Sequence, residues 1–116
     1  CYSCSMLITE NAIYGCTNGI YCSGSSSTIS KNVISYNGNS VNETTDFAIC
    51  CNDSSLYICN NLIMDNVEVG IYTLRSGSDL AVIVNNTIVN NSNDYGIFCY
   101  MSSPTIRNNI IVGNNG

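Results

Sequence analysis

The motif Ile-x-x-Asn-x-Ile occurs five times in this chain of 116 residues, and few folds can accommodate it. The copies are Ile8–Asn11–Ile13, Ile29–Asn32–Ile34, Ile58–Asn61–Ile63, Ile83–Asn86–Ile88 and Ile106–Asn109–Ile111. With 15 Ile and 19 Asn in the chain, chance alone gives roughly 0.3 copies. Successive copies start 21, 29, 25 and 23 residues apart. Aligning them brings further columns into line. Three residues after the second Ile come Asn37, Asn66, Asn91 and Asn114, with Cys16 in the first copy. A small residue and an Ile follow, as Gly19–Ile20, Ala48–Ile49, Gly70–Ile71 and Gly96–Ile97. Two residues later stand Cys22, Cys51, Thr73 and Cys99, and Cys1 occupies the same column ahead of Ile8.

Each repeat therefore contains three short segments in which apolar residues alternate with polar ones, separated by Asn, Ser and Gly. Alternation with period two means strand, and Ile, Val, Tyr and Thr suit strands. Three strands and three turns per repeat describe an all-β, right-handed parallel β-helix of about five coils. The coils stack at about 4.8 Å, and the sense of the crossover follows the general handedness rule. Residues 1–116 read as one solenoid segment, with repeats starting near Ile8, Ile29, Ile58, Ile83 and Ile106. Leucine-rich repeats would need more than the five Leu present. Helical repeats need Ala, Leu, Glu and Lys with a 3.6-residue period, and no segment sustains one.

The runs Ile83-Val-Asn-Asn-Thr-Ile-Val-Asn-Asn and Gly96-Ile-Phe-Cys-Tyr-Met-Ser-Ser-Pro-Thr-Ile-Arg-Asn-Asn resemble the right-handed β-helix repeats of the pectin-lyase-like superfamily, which includes the periplasmic NosD-type proteins. The resemblance extends over almost the whole chain. It implies the fold and a secreted or cell-surface location, in the periplasm or exterior of a bacterium or archaeon. It does not choose among lyases, hydrolases, adhesins and non-catalytic surface proteins. The lyases that this chain resembles place a catalytic Arg or Lys beside a calcium-binding Asp cluster. Here the basic residues are Lys31, Arg75 and Arg107, and none adjoins the acidic turn between the second and third strands. The hydrolases of the superfamily need a tight group of Asp on strands, which this sequence lacks. No catalytic residue carries over.

The columns assign roles. Fourteen of the 15 Ile, all but Ile110, point inward. Asn37, Asn66, Asn91 and Asn114 form a hydrogen-bonded ladder at a turn, where Asn tolerates left-handed backbone angles. Cys1, Cys22, Cys51 and Cys99 fill the core as free thiols, because side chains stacked in parallel stay near 4.8 Å apart at Cβ, beyond disulfide reach. Cys4, Cys16, Cys50 and Cys59 fall at turns or on the outside, and Cys1–Cys4 and Cys50–Cys51 are too close in sequence for an easy framework disulfide. The second strand is apolar on its outer side as well, at Ala12, Tyr14, Val33, Leu62, Met64, Val89, Ile110 and Val112. Either this face is simply tolerated or another segment covers it.

Two surface features are candidate sites. Glu43, Asp46, Glu68 and Asp94 recur on the turn between the second and third strands of successive coils. A carboxylate row offers oxygen ligands for Ca2+ or a pair for glycoside hydrolysis, or it is a solvated edge. Tyr21, Tyr72 and Phe98, with Cys50 between them, form an outward row on the third strand. Such a row stacks on sugar rings or packs across strands. The 74–79 loop would set Arg75 against Asp79 in an exposed pair of little energy.

Composition removes other classes. The net charge is −5 with only three basic residues, which excludes the basic patch that nucleic acid requires. There is no His, so His-based triads, general bases and zinc ligation are excluded. No apolar run is long enough to span a membrane. Four sequons, at Asn42, Asn52, Asn85 and Asn90, carry little weight in so Asn-rich a chain. The repeat is entered partway at Cys1 and left partway at Gly116, so the expectation is a piece of a longer solenoid with further coils at both ends. A lipidated Cys1 fits poorly, since that residue is in register with the Cys column. The functional expectation is a non-catalytic extracellular or cell-surface segment that binds polysaccharide or acts as scaffold. The alternative is a segment of a polysaccharide lyase or glycoside hydrolase whose catalytic residues lie elsewhere.

Overall fold

The computed structural model describes residues 1–39, 46–75, 81–92 and 95–115. The first coil carries β1 (Leu7–Thr9), β2 (Ala12–Tyr14) and β3 (Ile20–Ser23), and the second carries β4 (Thr28–Ser30), β5 (Val33–Ser35) and β6 (Phe47–Asn52). The third carries β7 (Tyr57–Cys59), β8 (Leu62–Met64) and β9 (Val69–Leu74), and the fourth β10 (Val82–Val84), β11 (Thr87–Val89) and β12 (Ile97–Tyr100). The last supplies β13 (Thr105–Arg107) and β14 (Ile110–Val112). Strands pair with their counterparts one coil away, never with their neighbours in sequence. The result is three sheets, ordered β1-β4-β7-β10-β13, β2-β5-β8-β11-β14 and β3-β6-β9-β12. Every strand pairing is parallel, and the register sets Ile on Ile in each sheet: Ile8, Ile29, Ile58, Ile83 and Ile106 in the first, Ile13, Ile34, Ile63, Ile88 and Ile111 in the second. In the central coils these side chains are fully buried. Each contributes roughly 1.5–3 kcal/mol.

The corners differ from expectation in one respect. The ladder asparagines do not adopt left-handed backbone angles; the residue before each of them does. Glu10, Lys31, Asn60, Asn85 and Asn108 make the first corner at φ of 55–60°, and Tyr36, Asp65 and Asn90 make the second at 53–54°. Ser3, Asp53, Arg75 and Met101 make the third at 45–52°, with Gly24 at 59° in the second coil. A single left-handed residue reverses the outward direction of the chain, so the next side chain points in. Each non-glycine residue in this region costs about 1–2 kcal/mol, and the ladder bonds offset that cost.

The structure contains a second asparagine ladder, in addition to the expected one. Asn32 N–H and Nδ2 both donate to Asn61 Oδ1 at 3.0 Å, and Asn61 donates in the same two ways to Asn86 Oδ1 at 3.0 Å. The expected ladder repeats the pattern from Asn37 to Asn66, Asn91 and Asn114 at 2.9–3.2 Å. Cys16 enters it through its backbone N–H, which donates to Asn37 Oδ1 at 3.1 Å. The third corner carries hydroxyls instead, with Ser25 N–H donating to Ser54 Oγ at 3.0 Å. Among the described residues, no buried side-chain nitrogen or oxygen lacks a hydrogen-bond partner.

All eight cysteines are free. Cys22 and Cys51 are fully buried in the inward column with Thr73, as expected, whereas Cys1 is half-buried and Cys99 exposed. Cys50 and Cys59 depart from the expected pattern: they lie on outward columns yet are buried, because neighbouring side chains on adjacent coils cover them. Burial pushes the Cys22 thiol up to about 11 and the Cys50 thiol up to about 12. An acid whose folded pKa is raised holds its proton in the folded state after the unfolded chain has lost it. Stability from these two thiols is therefore complete below about pH 9 and falls as pH rises through 9 towards 11 and 12, by about 1.4 kcal/mol per pH unit per thiol. Denaturant melts between pH 8 and 11 should show this decline, and the Cys22→Ala, Cys50→Ala double variant should flatten it. A wild-type slope equal to that of the variant would refute the assignment.

Candidate functional site

The outer face of β3-β6-β9-β12 is where the aromatic residues gather. Register sets Tyr21 beside Cys50, Cys50 beside Tyr72 and Tyr72 beside Phe98. Cys50 has no ring, and Phe47, at the start of β6, supplies one. Ala48 and Ile49 are consecutive and both fully buried, so the alternation slips by one residue and Phe47 emerges beside Tyr72. Strict period-two reading misses it. Phe47 and Tyr72 stack at 4.6 Å and 6°, Tyr72 and Phe98 at 5.5 Å and 8°, and Phe98 and Tyr95 at 4.8 Å and 18°. Each such pair contributes about 0.5–1.5 kcal/mol beyond its burial. Tyr21 stands outside this stack, paired instead with Tyr2 at 5.8 Å and 42°, and its hydroxyl oxygen accepts from Asn52 Nδ2 at 3.2 Å. Tyr2, Tyr21, Phe47, Tyr72, Tyr95, Phe98 and Tyr100 together place seven of the chain's ten aromatic residues on or beside this sheet.

Stacking determines what the rings can offer. Tyr72 is covered on both faces, so it presents its rim and hydroxyl outward. Burial, with Cys50 close by, raises the pKa of that hydroxyl. Tyr95 ends the stack and is 40% exposed. The corner beneath the stack requires a small residue: a Cβ on Gly70 would lie 2.6 Å from Gly96 O and 2.9 Å from an Ile88 methyl.

The acidic turn borders this face, since Asp46 precedes Phe47 in the chain. Asp46 is buried, and its Oδ2 accepts the Asn39 backbone N–H at 2.7 Å. Its own N–H donates to Glu68 Oε2 at 3.4 Å on the next coil. Asp46 and Glu68 thus tie the turn together and bridge two coils. Glu43, Asp94, Asn42 and Asp79 lie outside the described residues. Among the described residues, no three His, Cys, Asp or Glu gather in a way that could hold a metal ion. Lys31 lies 3.7 Å from Glu10 across an exposed corner. On the second sheet, Tyr14, Val33, Ile110 and Val112 are exposed while Leu62, Met64 and Val89 are half-buried.

A family model described as "Right handed beta helix region" matches residues 2–116. This chain belongs to the right-handed β-helix family. Comparison with curated proteins and with solved structures gives no match. The family accounts for the parallel sheets, the inward Ile columns and the handedness of the coil. As a right-handed β-helix, the chain presents three long faces, and among the described residues the rings concentrate on the one formed by β3, β6, β9 and β12. No helix among the described residues is long and apolar enough to cross a membrane.

Proposed function

We propose that this β-helix segment is a non-catalytic scaffold at the cell surface or outside the cell that binds a neutral polysaccharide along its aromatic sheet. The observation that carries this reading is the four-ring stack Phe47–Tyr72–Phe98–Tyr95 running from coil to coil on one face. Ring rims that recur from coil to coil at Phe47, Tyr72 and Phe98 suit a repeating ligand, and the exposed Tyr95 ring suits stacking on a sugar. The net charge of −5 opposes polyuronates and favours uncharged glycans, because like charges raise the cost of association. The Asp46 carboxylate, held to a backbone N–H of its own turn, is poorly placed for acid–base work. Ile106 and Ile111 are 44% and 46% exposed although their counterparts in the central coils are buried.

Affinity electrophoresis in gels cast with neutral glucans, and separately with polygalacturonate, tests the reading. The protein should be retarded by a neutral polymer and not by the polyuronate. Tyr95→Ala should weaken the retardation roughly three- to tenfold, the scale of one aromatic contact. Migration unchanged in every glycan would leave a spacer with no sugar ligand. Release of 4,5-unsaturated product from polyuronate would instead make this a lyase segment.

A further inference from the structure

The third corner has a fixed internal geometry that repeats from coil to coil. An inward residue is followed two positions later by a left-handed residue and three positions later by a ladder residue. Cys22, Gly24 and Ser25 occupy these places in one coil, and Cys51, Asp53 and Ser54 in the next, with φ of 59° at Gly24 and 45° at Asp53. The left-handed residue folds the chain back so that the ladder residue closes over the inward one. Cys51 Sγ accordingly donates to Ser54 O at 3.1 Å, and Ser25 Oγ and Ser54 Oγ donate to the carbonyls two residues back at 3.1 and 2.7 Å. In the first coil the same places hold Cys1, Ser3 at φ 46° and Cys4. Cys4 is the one described ladder position at this corner where a thiol replaces the hydroxyl of Ser25, Ser54 and Ser102. The corner therefore sets Cys1 Sγ 2.6 Å from Cys4 Sγ.

We propose that Cys1 and Cys4 are a redox-active dithiol, closed to a disulfide by a small-molecule disulfide such as oxidised glutathione. The sequence spacing alone makes this pair a poor framework disulfide; the corner overrides that by turning the two side chains together. Both residues are half-buried, within reach of a small oxidant. The competing partner for Cys1 is Cys22, which stacks beside it one coil away, as the Tyr2–Ser23 bridge shows. Cys22 is fully buried, and burial keeps it a thiol rather than the thiolate that exchange requires. The exchange proceeds in two steps. One thiolate of the pair attacks a sulfur of the oxidant, forming a mixed disulfide and expelling one thiolate. The second thiolate then attacks the protein-side sulfur, forming the Cys1–Cys4 bond and expelling the other. Two cysteine thiols are oxidised and one disulfide is reduced to two thiols.

The test uses the full chain with the exposed Cys16 and Cys99 changed to Ser, incubated with oxidised glutathione and read by intact and peptide mass spectrometry. The expected product has lost two hydrogens, carries no glutathione and contains a Cys1–Cys4 crosslink. In the same background, Cys4→Ser should retain one glutathione on Cys1, and Cys1→Ser should retain one on Cys4. Serine is the residue used at the Cys4 position in other coils, so Cys4→Ser is expected to fold, which circular dichroism checks. Stable glutathione on Cys1 or Cys4 of the parent, a Cys1–Cys22 crosslink, or no reaction would each overturn the proposal.

Discussion

Replacing Asn61 by alanine is expected to cost about 4 kcal/mol of stability, a large part of what a domain of this size has. Asn61 Oδ1 accepts from both the backbone N–H and the Nδ2 of Asn32, and Asn61 Nδ2 donates to Ile29 O and Asn86 Oδ1. Alanine removes all four bonds at a site from which water is excluded. The Asn32 backbone N–H and one of its amide protons lose Asn61 Oδ1 as their acceptor, and each buried orphan costs about 1–3 kcal/mol. Asn61→Asp provides the control. A carboxylate still accepts from Asn32 but cannot donate to Ile29 O or Asn86 Oδ1, and its charge is buried. It should be at least as destabilising as alanine. Denaturant unfolding followed by circular dichroism reads both. Losses below about 1 kcal/mol in both variants would mean that the ladder is decorative, since that is the scale of one ordinary exposed bond.

Ile63→Ala is expected to cost about 3–4 kcal/mol, within the range for a large-to-small change in a packed core. Ile63 is fully buried between Ile34 and Ile88, and the coils above and below are tied by backbone pairing and ladders. The cavity therefore cannot collapse. Ile106→Ala is the matched comparison, because Ile106 belongs to the same repeat motif but is 44% exposed. It should cost under about 1 kcal/mol, as nearly half of its surface is already in water and no closed cavity is left behind. Equal losses at the two positions would contradict a core that is dry in the middle and open at the last coil.

Much of the architecture is legible in the sequence. The Ile columns, the expected Asn ladder and the inward Cys22 and Cys51 all follow from period-two alternation inside a repeat, and repeat alignment exposes that directly. The ladder of Asn11, Asn32, Asn61, Asn86 and Asn109 was present in the motif yet not recognised as one. The identity of the left-handed residue was also missed. Glu10, Lys31, Tyr36, Arg75 and Met101 have no chemistry in common, because their backbone angle is imposed by the corner and not by their side chains. At the candidate site, Tyr72 and Phe98 were found by alternation, whereas Phe47 and Tyr95 were not. The slip at Ala48–Ile49 depends on how closely a small residue lets one coil approach the next, and that is a tertiary distance. Asp46 looked like one member of a carboxylate row; its burial against Asn39 could not be read from spacing.

The sequence by itself determined the coil: which residues alternate, where the chain turns, and which side chains recur at one height on successive turns. Those are properties of local period and of the repeat, and they need no knowledge of what lies opposite. The tertiary structure decided which recurring side chains meet. It set Phe47 rather than Tyr21 into the ring stack, turned Asp46 into its own loop, and brought Cys1 onto Cys4 across one corner. In each case the outcome rests on a backbone angle or an inter-coil distance of a few ångströms, which the order of residues constrains only through the packing of the whole solenoid.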